Sequence, residues 1–476
     1  MLFEKEEKYV DESTESFGSI LISPRLAEEY VRNRGMKRVV TPSLLALLTA
    51  CCLLPAPFVY WQHLPVGSMP AVNVAMVLMV FGALIAFFVY VLCEFGYIFP
   101  YAGGVYTFAR QETGVLGGYV AGMAAAVVHL CLGACAVRLM WFFFIQGMAE
   151  ATAFFALGTL MILILALASY RTDYYFVFIF IVFCGALAAI LLFFIAVHQA
   201  KLLTLSALQV NANLLNSQGL MMLFFTFCGV AGLASVAEEL EMRNGKWHRW
   251  VLPVFCLAAL VFVLQIAVVT AVAAPVDSAF SLFSLIERYY SDDIVLQKTI
   301  YVFGFCGVFL PLLTGLYLAS RQFFAFARSG YMPSYFSHLL TGRQTPLRSL
   351  ILTLVVMLGL ARWGKPGDLL AMAAYSFCLE IVLVLYSWWR LQLREPELFS
   401  NVGRKLLWLG CGILIIFMVF FVVLSIGQFV QIFIPVIVWF VLIMYVYYRG
   451  GNYIRDEAPD EAAALQKEKG NKVALR

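Results

Sequence analysis

Long apolar runs of membrane-spanning length, each separated by a short polar segment, recur along most of the chain. A helix needs about 20 apolar residues to cross a bilayer, and this pattern predicts twelve spans. They fall near 40–62, 69–96, 116–148, 152–170, 173–199, 217–241, 249–274, 297–328, 346–363, 367–390, 404–426 and 428–449. Residues 1–39 and 450–476 are charged tails. The first tail is acidic at its start and basic beside the first span (Arg25, Arg32, Arg34, Lys37, Arg38), so that span itself is expected to direct insertion. The outer segment Phe280–Tyr290 carries apolar residues on a helical period. It reads equally as a helix lying flat over the outer mouth and as a plain surface helix.

Two spans break the regular pattern. The sixth reads Phe224-Phe225-Thr226-Phe227-Cys228-Gly229-Val230-Ala231-Gly232 and ends in Glu238-Glu239. Its glycines either let the helix unwind at mid-depth or serve close approach to neighbouring helices. The first carries Leu54-Pro55-Ala56-Pro57-Phe58, where two prolines remove backbone donors and force a break or kink. Unwound backbone survives in a bilayer only where protein or a water-filled cavity satisfies it. Interrupted helices at corresponding places, first and sixth, predict an all-α polytopic protein with a five-plus-five inverted repeat and its site at the crossing. The expected organisation is a tail over 1–39 and a ten-helix core over 40–390, with repeats 40–199 and 217–390. Two further helices over 391–449 and a tail over 450–476 complete it.

Composition agrees with the membrane reading: 63% of the 476 residues are hydrophobic and 13% charged, against about 25% charged in soluble domains. Twenty-six of the 32 Lys and Arg fall in the tails and the loops read as inner, which puts both termini in the cytoplasm. A multi-pass plasma-membrane protein, or bacterial inner-membrane protein, is expected. The scattered positive charge gives no nucleic-acid surface. The eleven cysteines lie in or beside apolar spans without metal-ligand spacing, so no metal, cofactor or disulfide framework is expected. Five scattered His, with no HExxH, P-loop or Ser/His/Asp set, argue against an enzyme.

Several ionisable positions inside spans stand out. Arg138, in the outer half of the third span, needs a partner, because an unpaired guanidinium costs about 2.5–3.5 kcal/mol or more there. It either holds an anionic group of a substrate or pairs structurally with Glu150 or exposed carbonyls, or snorkels outward. His129, half a turn around the same helix, reads as a satisfied packing residue ahead of a proton relay. Glu380 in the tenth span is a candidate for proton coupling or for a structural pair. Glu238 and Glu239, near basic inner-loop residues, read as a cytoplasmic gate or ion-pair cluster. Gly118 and Gly122 read as a site of close helix approach.

Three segments resemble the amino acid–polyamine–organocation superfamily of transporters. They are Glu94 to Tyr106 with Pro100, Gly103 and Gly104; the sixth-span stretch through Glu239; and Ser320-Arg321-Gln322 to Pro333 with Thr345-Pro346. Within it, Tyr106 to Arg110, Gly117-Gly118 and Arg394 to Leu398 look most like the ethanolamine permease or amino acid permease branch. The resemblance covers about 40–450 and implies a LeuT-type core of ten helices with two further helices, and alternating-access exchange or symport of amino acids or small amines. It places substrate against Leu54 to Phe58, Phe225 as an aromatic gate, and Cys228 to Gly232. Pro55 and Pro57 stand where the family's first-helix glycine motif presents N–H groups to a carboxylate, and Ala231 where an acidic residue is usual. A substrate without a carboxylate, a carboxylate held otherwise, and a non-transporting sensor or partner protein are the readings left by those departures. Thr314 and Ser320 are not adjacent as in sodium-coupled relatives, and the fifth span has no Lys, so exchange or facilitated diffusion is the default.

Overall fold

The computed structural model describes residues 36, 39–53, 71–99, 103–147, 149–199, 223–240, 247–273, 294–340 and 344–427. Near the carboxyl end it describes 441, 442, 444, 445 and 447–449. Most of both tails, the proline stretch Leu54 to Phe58, the segment 280–290 and most of 428–449 lie outside the described residues.

The described residues are helical, with a single isolated bridge between Val40 and Leu240 as the sole extended pairing among them. The long helices are α1 (Pro42–Leu53), α2 (Ala71–Ile98), α3 (Gly104–Gly147), α4 (Glu150–Tyr170) and α5 (Thr172–Gln199). After a stretch of tight turns come α6 (His248–Ala273), α7 (Ile294–Arg328), α8 (Leu347–Trp363) and α9 (Pro366–Arg394). The five-residue α10 (Asn401–Lys405) and the longer α11 (Leu407–Gly427) follow. Seven of these are long and apolar enough to cross a membrane. Most edges fall within a few residues of the predicted spans, because an apolar run ends where polar and capping residues begin. At α1, for example, Thr41 Oγ1 accepts from Leu44 N at 3.3 Å and Pro42 occupies the first turn, where its missing N–H costs nothing.

One boundary departs from the hydropathy pattern. The third helix begins at Gly104, twelve residues before the apolar run, and its two pieces meet at Gly114 (φ 75°). The first piece carries Thr107, Arg110, Gln111 and Glu112, so averaging hydropathy along the chain hides it. Gly118 and Gly122 lie just beyond the joint. A side chain on Gly118 would collide with Arg110 and Tyr106, and one on Gly122 with Phe326 of α7.

The core is built around α3. Its apolar window is 94% buried, against 28% for that of α4, and it packs on α7, α8 and α9. A second brace joins α2, α9 and α10 through Glu94. This buried carboxylate accepts from Trp388 Nε1 (2.9 Å), Ser400 N (3.1 Å) and Ser400 Oγ (2.8 Å). Those donors satisfy its charge, so the acidic residue of the first resemblance segment has a bracing role here. Ser400 in turn caps α10.

Candidate functional site

The polypeptide leaves the α-helix inside this core. Leu223–Phe225 is still helical, and Phe224 is wedged among the rings of Phe81, Phe377, Phe417 and Phe420. The chain then passes through the 3-10 turns Cys228–Val230 and Leu233–Glu239, separated by Ala231 in an extended conformation and Gly232 in the left-handed region (φ 62°). A residue with a Cβ pays about 1–2 kcal/mol to adopt that conformation, so Gly232 is what makes the break cheap. Gly229 answers a different need: a Cβ there would run into the carbonyl of Cys52, the penultimate residue of α1. The break therefore lies directly against the end of α1, and every residue from Leu223 to Leu240 is buried.

Broken backbone in a dry interior must find partners elsewhere. Ala231 offers its carbonyl to His129 Nε2 of α3, and Gly232 N donates to Glu380 Oε1 of α9 at 3.0 Å. These two groups belong to one peptide unit, gripped from both sides. The Cys228 thiol donates weakly to Ala373 O (3.8 Å), and Ser235 Oγ to Leu318 O (3.4 Å).

The far end of the break is held by charge. Glu239 accepts from Arg321 Nε at 2.7 Å and from the Tyr317 hydroxyl, and the guanidinium lies 3.7 Å from the centre of the Tyr317 ring. Arg321 and Glu239 side chains are 1% and 3% exposed, so this is a fully buried ion pair. Its neighbour Glu238 receives both terminal nitrogens of Arg328 at 3.0 and 2.9 Å, and the backbone N–H of Met36 at 3.0 Å. The N–H groups of Val39 and Val40 both reach Glu239 O at 2.9 Å, which stitches the entry to α1 onto the exit of the break.

The structure thus brings Cys228, Gly229, Val230, Ala231, Gly232 and Glu380 together with buried Phe225 nearby in the chain, and gathers Glu238 and Glu239 about two turns further on. The carboxylates pair with arginines of α7, while the inner-loop basic residues Arg243 and Lys246 lie outside the described residues. Arg138 does not join the break. It donates to the carbonyl of Gly364, which follows the last turn of α8, where a cation suits the negative end of the helix dipole. Nine residues separate it from His129, about 13 Å along the helix. The side chain of Glu150, its other expected partner, is not described. Thr314 is buried in α7 and turns its hydroxyl back to Leu310 O at 3.0 Å, the usual habit of a threonine inside a helix. Leu54 to Phe58 lie outside the described residues.

His129, Tyr317, Arg321 and Arg328 join this candidate site, and chain reading had given none of them a place in it. A signal for the two arginines was present. They stand seven residues apart, on one face of one helix, and two adjacent carboxylates elsewhere in the core needed two cations. For His129 the sequence offered no comparable sign.

The model of the amino acid permease family matches residues 43–448. The chain belongs to that family. Within the amino acid–polyamine–organocation superfamily, amino acid permeases are transporters, and the apolar helices make this one an integral, multi-pass membrane protein. No curated protein matches the chain.

Proposed function

We propose that this permease is a secondary transporter that exchanges amino acids or small amines across the plasma membrane by alternating access. The observation that carries the reading is the buried break at Phe227–Leu240, whose backbone is met by side chains of α3 and α9. A helix interrupted inside the protein leaves backbone groups that need partners, transporters use such breaks as binding sites, and membership of a permease family favours solute movement as the role of this one. In this reading the fold has twelve spans in a five-plus-five repeat, with both termini cytoplasmic. Substrate contacts Phe225 and the Cys228 to Gly232 backbone on one side and Leu54 to Phe58 on the other. Arg138, on the carbonyl of Gly364, belongs to the outer wall of the path. Glu238 and Glu239, tied to α7 and to the chain before α1, form the inner closure.

The test is uptake into proteoliposomes of tritiated amino acids and ethanolamine, with and without unlabelled compound inside. Saturable uptake that rises when the same solute is loaded inside supports exchange. A folded, reconstituted protein that moves none of them would instead be a sensor or partner subunit.

A further inference from the structure

The Ala231–Gly232 peptide is the narrowest point of control in the break. A carbonyl oxygen only accepts, so His129 donates from Nε2 and carries its proton there. On the other side Glu380 spends one oxygen, Oε1, on Gly232 N–H. Its second oxygen, Oε2, is buried and has no hydrogen-bond partner among the described residues. Glu380 is 0% exposed, and none of the ion pairs among the described residues includes it. The groups that face this centre are uncharged as thiols and as an imidazole with its single proton on Nε2. Cys228 of the break lies close to Glu380, Cys378 of α9 and Cys131 of α3, and His129 stands across the peptide. The two arginines of the inner end are committed to Glu239 and Glu238.

A carboxylate in this position leaves a full charge and an oxygen unmatched, at a cost of several kcal/mol. A proton on Oε2 removes the charge without needing a cavity, since it adds a single O–H bond. Oε1 still accepts from Gly232 in either state, but the bond to the charged form is roughly twice as strong. Gaining or losing one proton therefore changes the grip on the residue whose left-handed backbone makes the break.

We propose that Glu380 is a proton-binding site coupled to the break. A proton taken from water on one side forms the O–H bond at Oε2 and slackens Gly232; release to the other side breaks that bond and tightens it again. His129 is the positioning residue that keeps the peptide aimed at Glu380. The proposal rests on the transport reading above and replaces ungated exchange with proton-linked movement.

Two measurements test it separately. Infrared difference spectra of the purified protein across a pH titration should contain a carboxylic-acid carbonyl band that is lost in Glu380→Gln and shifted in Glu380→Asp. Identical carboxyl bands in wild type and both variants overturn the proton site, whatever the protein transports. In proteoliposomes, an inside-alkaline gradient should raise wild-type accumulation of tritiated leucine or ethanolamine by up to about tenfold per pH unit for one proton per substrate. Glu380→Gln should no longer respond to the gradient. Wild-type counterflow, which needs no gradient, reports whether the probe is carried at all. Counterflow that is robust while the gradient has no effect overturns the coupling. Absent counterflow overturns the transport reading instead, and the infrared titration then decides the proton site alone.

Discussion

The two ends of the broken segment are held in opposite ways. At Glu238 and Glu239 each carboxylate meets a guanidinium, one pair fully buried and the other partly exposed, with backbone N–H groups from Met36, Val39 and Val40 added. At Ala231–Gly232 a single peptide is held by one imidazole and one carboxyl group that joins no ion pair among the described residues. Removing one partner of a buried ion pair strands a charge, so the Glu238–Glu239 end gives way only at high cost. The Ala231–Gly232 end is adjusted by one hydrogen bond or one proton. That contrast suits a helix anchored at one end and adjustable at the other.

The largest effect separating the two ends is expected at Arg321→Leu. It strands Glu239 and should lower stability by about 3–5 kcal/mol, read as a fall in thermal unfolding temperature of the detergent-solubilised protein. Adding Glu239→Leu should recover most of the loss. Equal stability of parent and Arg321→Leu would erase the distinction between the ends. A smaller effect is expected at Gly232→Ala. The added Cβ finds Ala125 Cβ at 3.4 Å and His129 Nε2 at 3.5 Å, so space is adequate and the cost is the backbone strain of about 1–2 kcal/mol. Because that strain falls on the adjustable end, uptake should drop more than stability does. A drop in stability of the size seen at Arg321 would mean both ends are equally rigid.

The smallest effect should come from Arg138→Leu, which sits apart from both ends on the carbonyl of Gly364. Loss of a cation at a helix terminus costs about 0.3–1 kcal/mol, and apparent affinity in uptake should stay within about twofold of wild type, under about 0.4 kcal/mol. A large rise in the substrate concentration for half-maximal uptake would move Arg138 into the site.

Much of the helical frame was legible because apolar runs of span length have few alternatives in a membrane protein. The run 173–199 became Thr172–Gln199, and 249–274 became His248–Ala273. The break was legible too, since Gly229 and Gly232 interrupt an otherwise apolar stretch. What escaped was everything set by the third dimension. The amphipathic piece before Gly114 hides from hydropathy averaging. The arginine on Glu238 lies 90 residues away and that on Glu239 lies 82, so neither pairing can be read from local spacing. His129 looked like packing because a buried imidazole with one backbone partner has no pattern of its own in a sequence. Its hydrogen bond spans 102 residues.

The most direct test of the break as the moving centre uses Cys228, which is buried in its first turn. In a variant with the other ten cysteines replaced, proteoliposomes would be treated from outside or inside with a membrane-impermeant methanethiosulfonate reagent, with and without a transported amino acid. The account predicts modification that depends on side and is slowed by the solute. A transport-competent protein in which Cys228 stays unreactive from both sides, or reacts at a rate indifferent to solute, would contradict it.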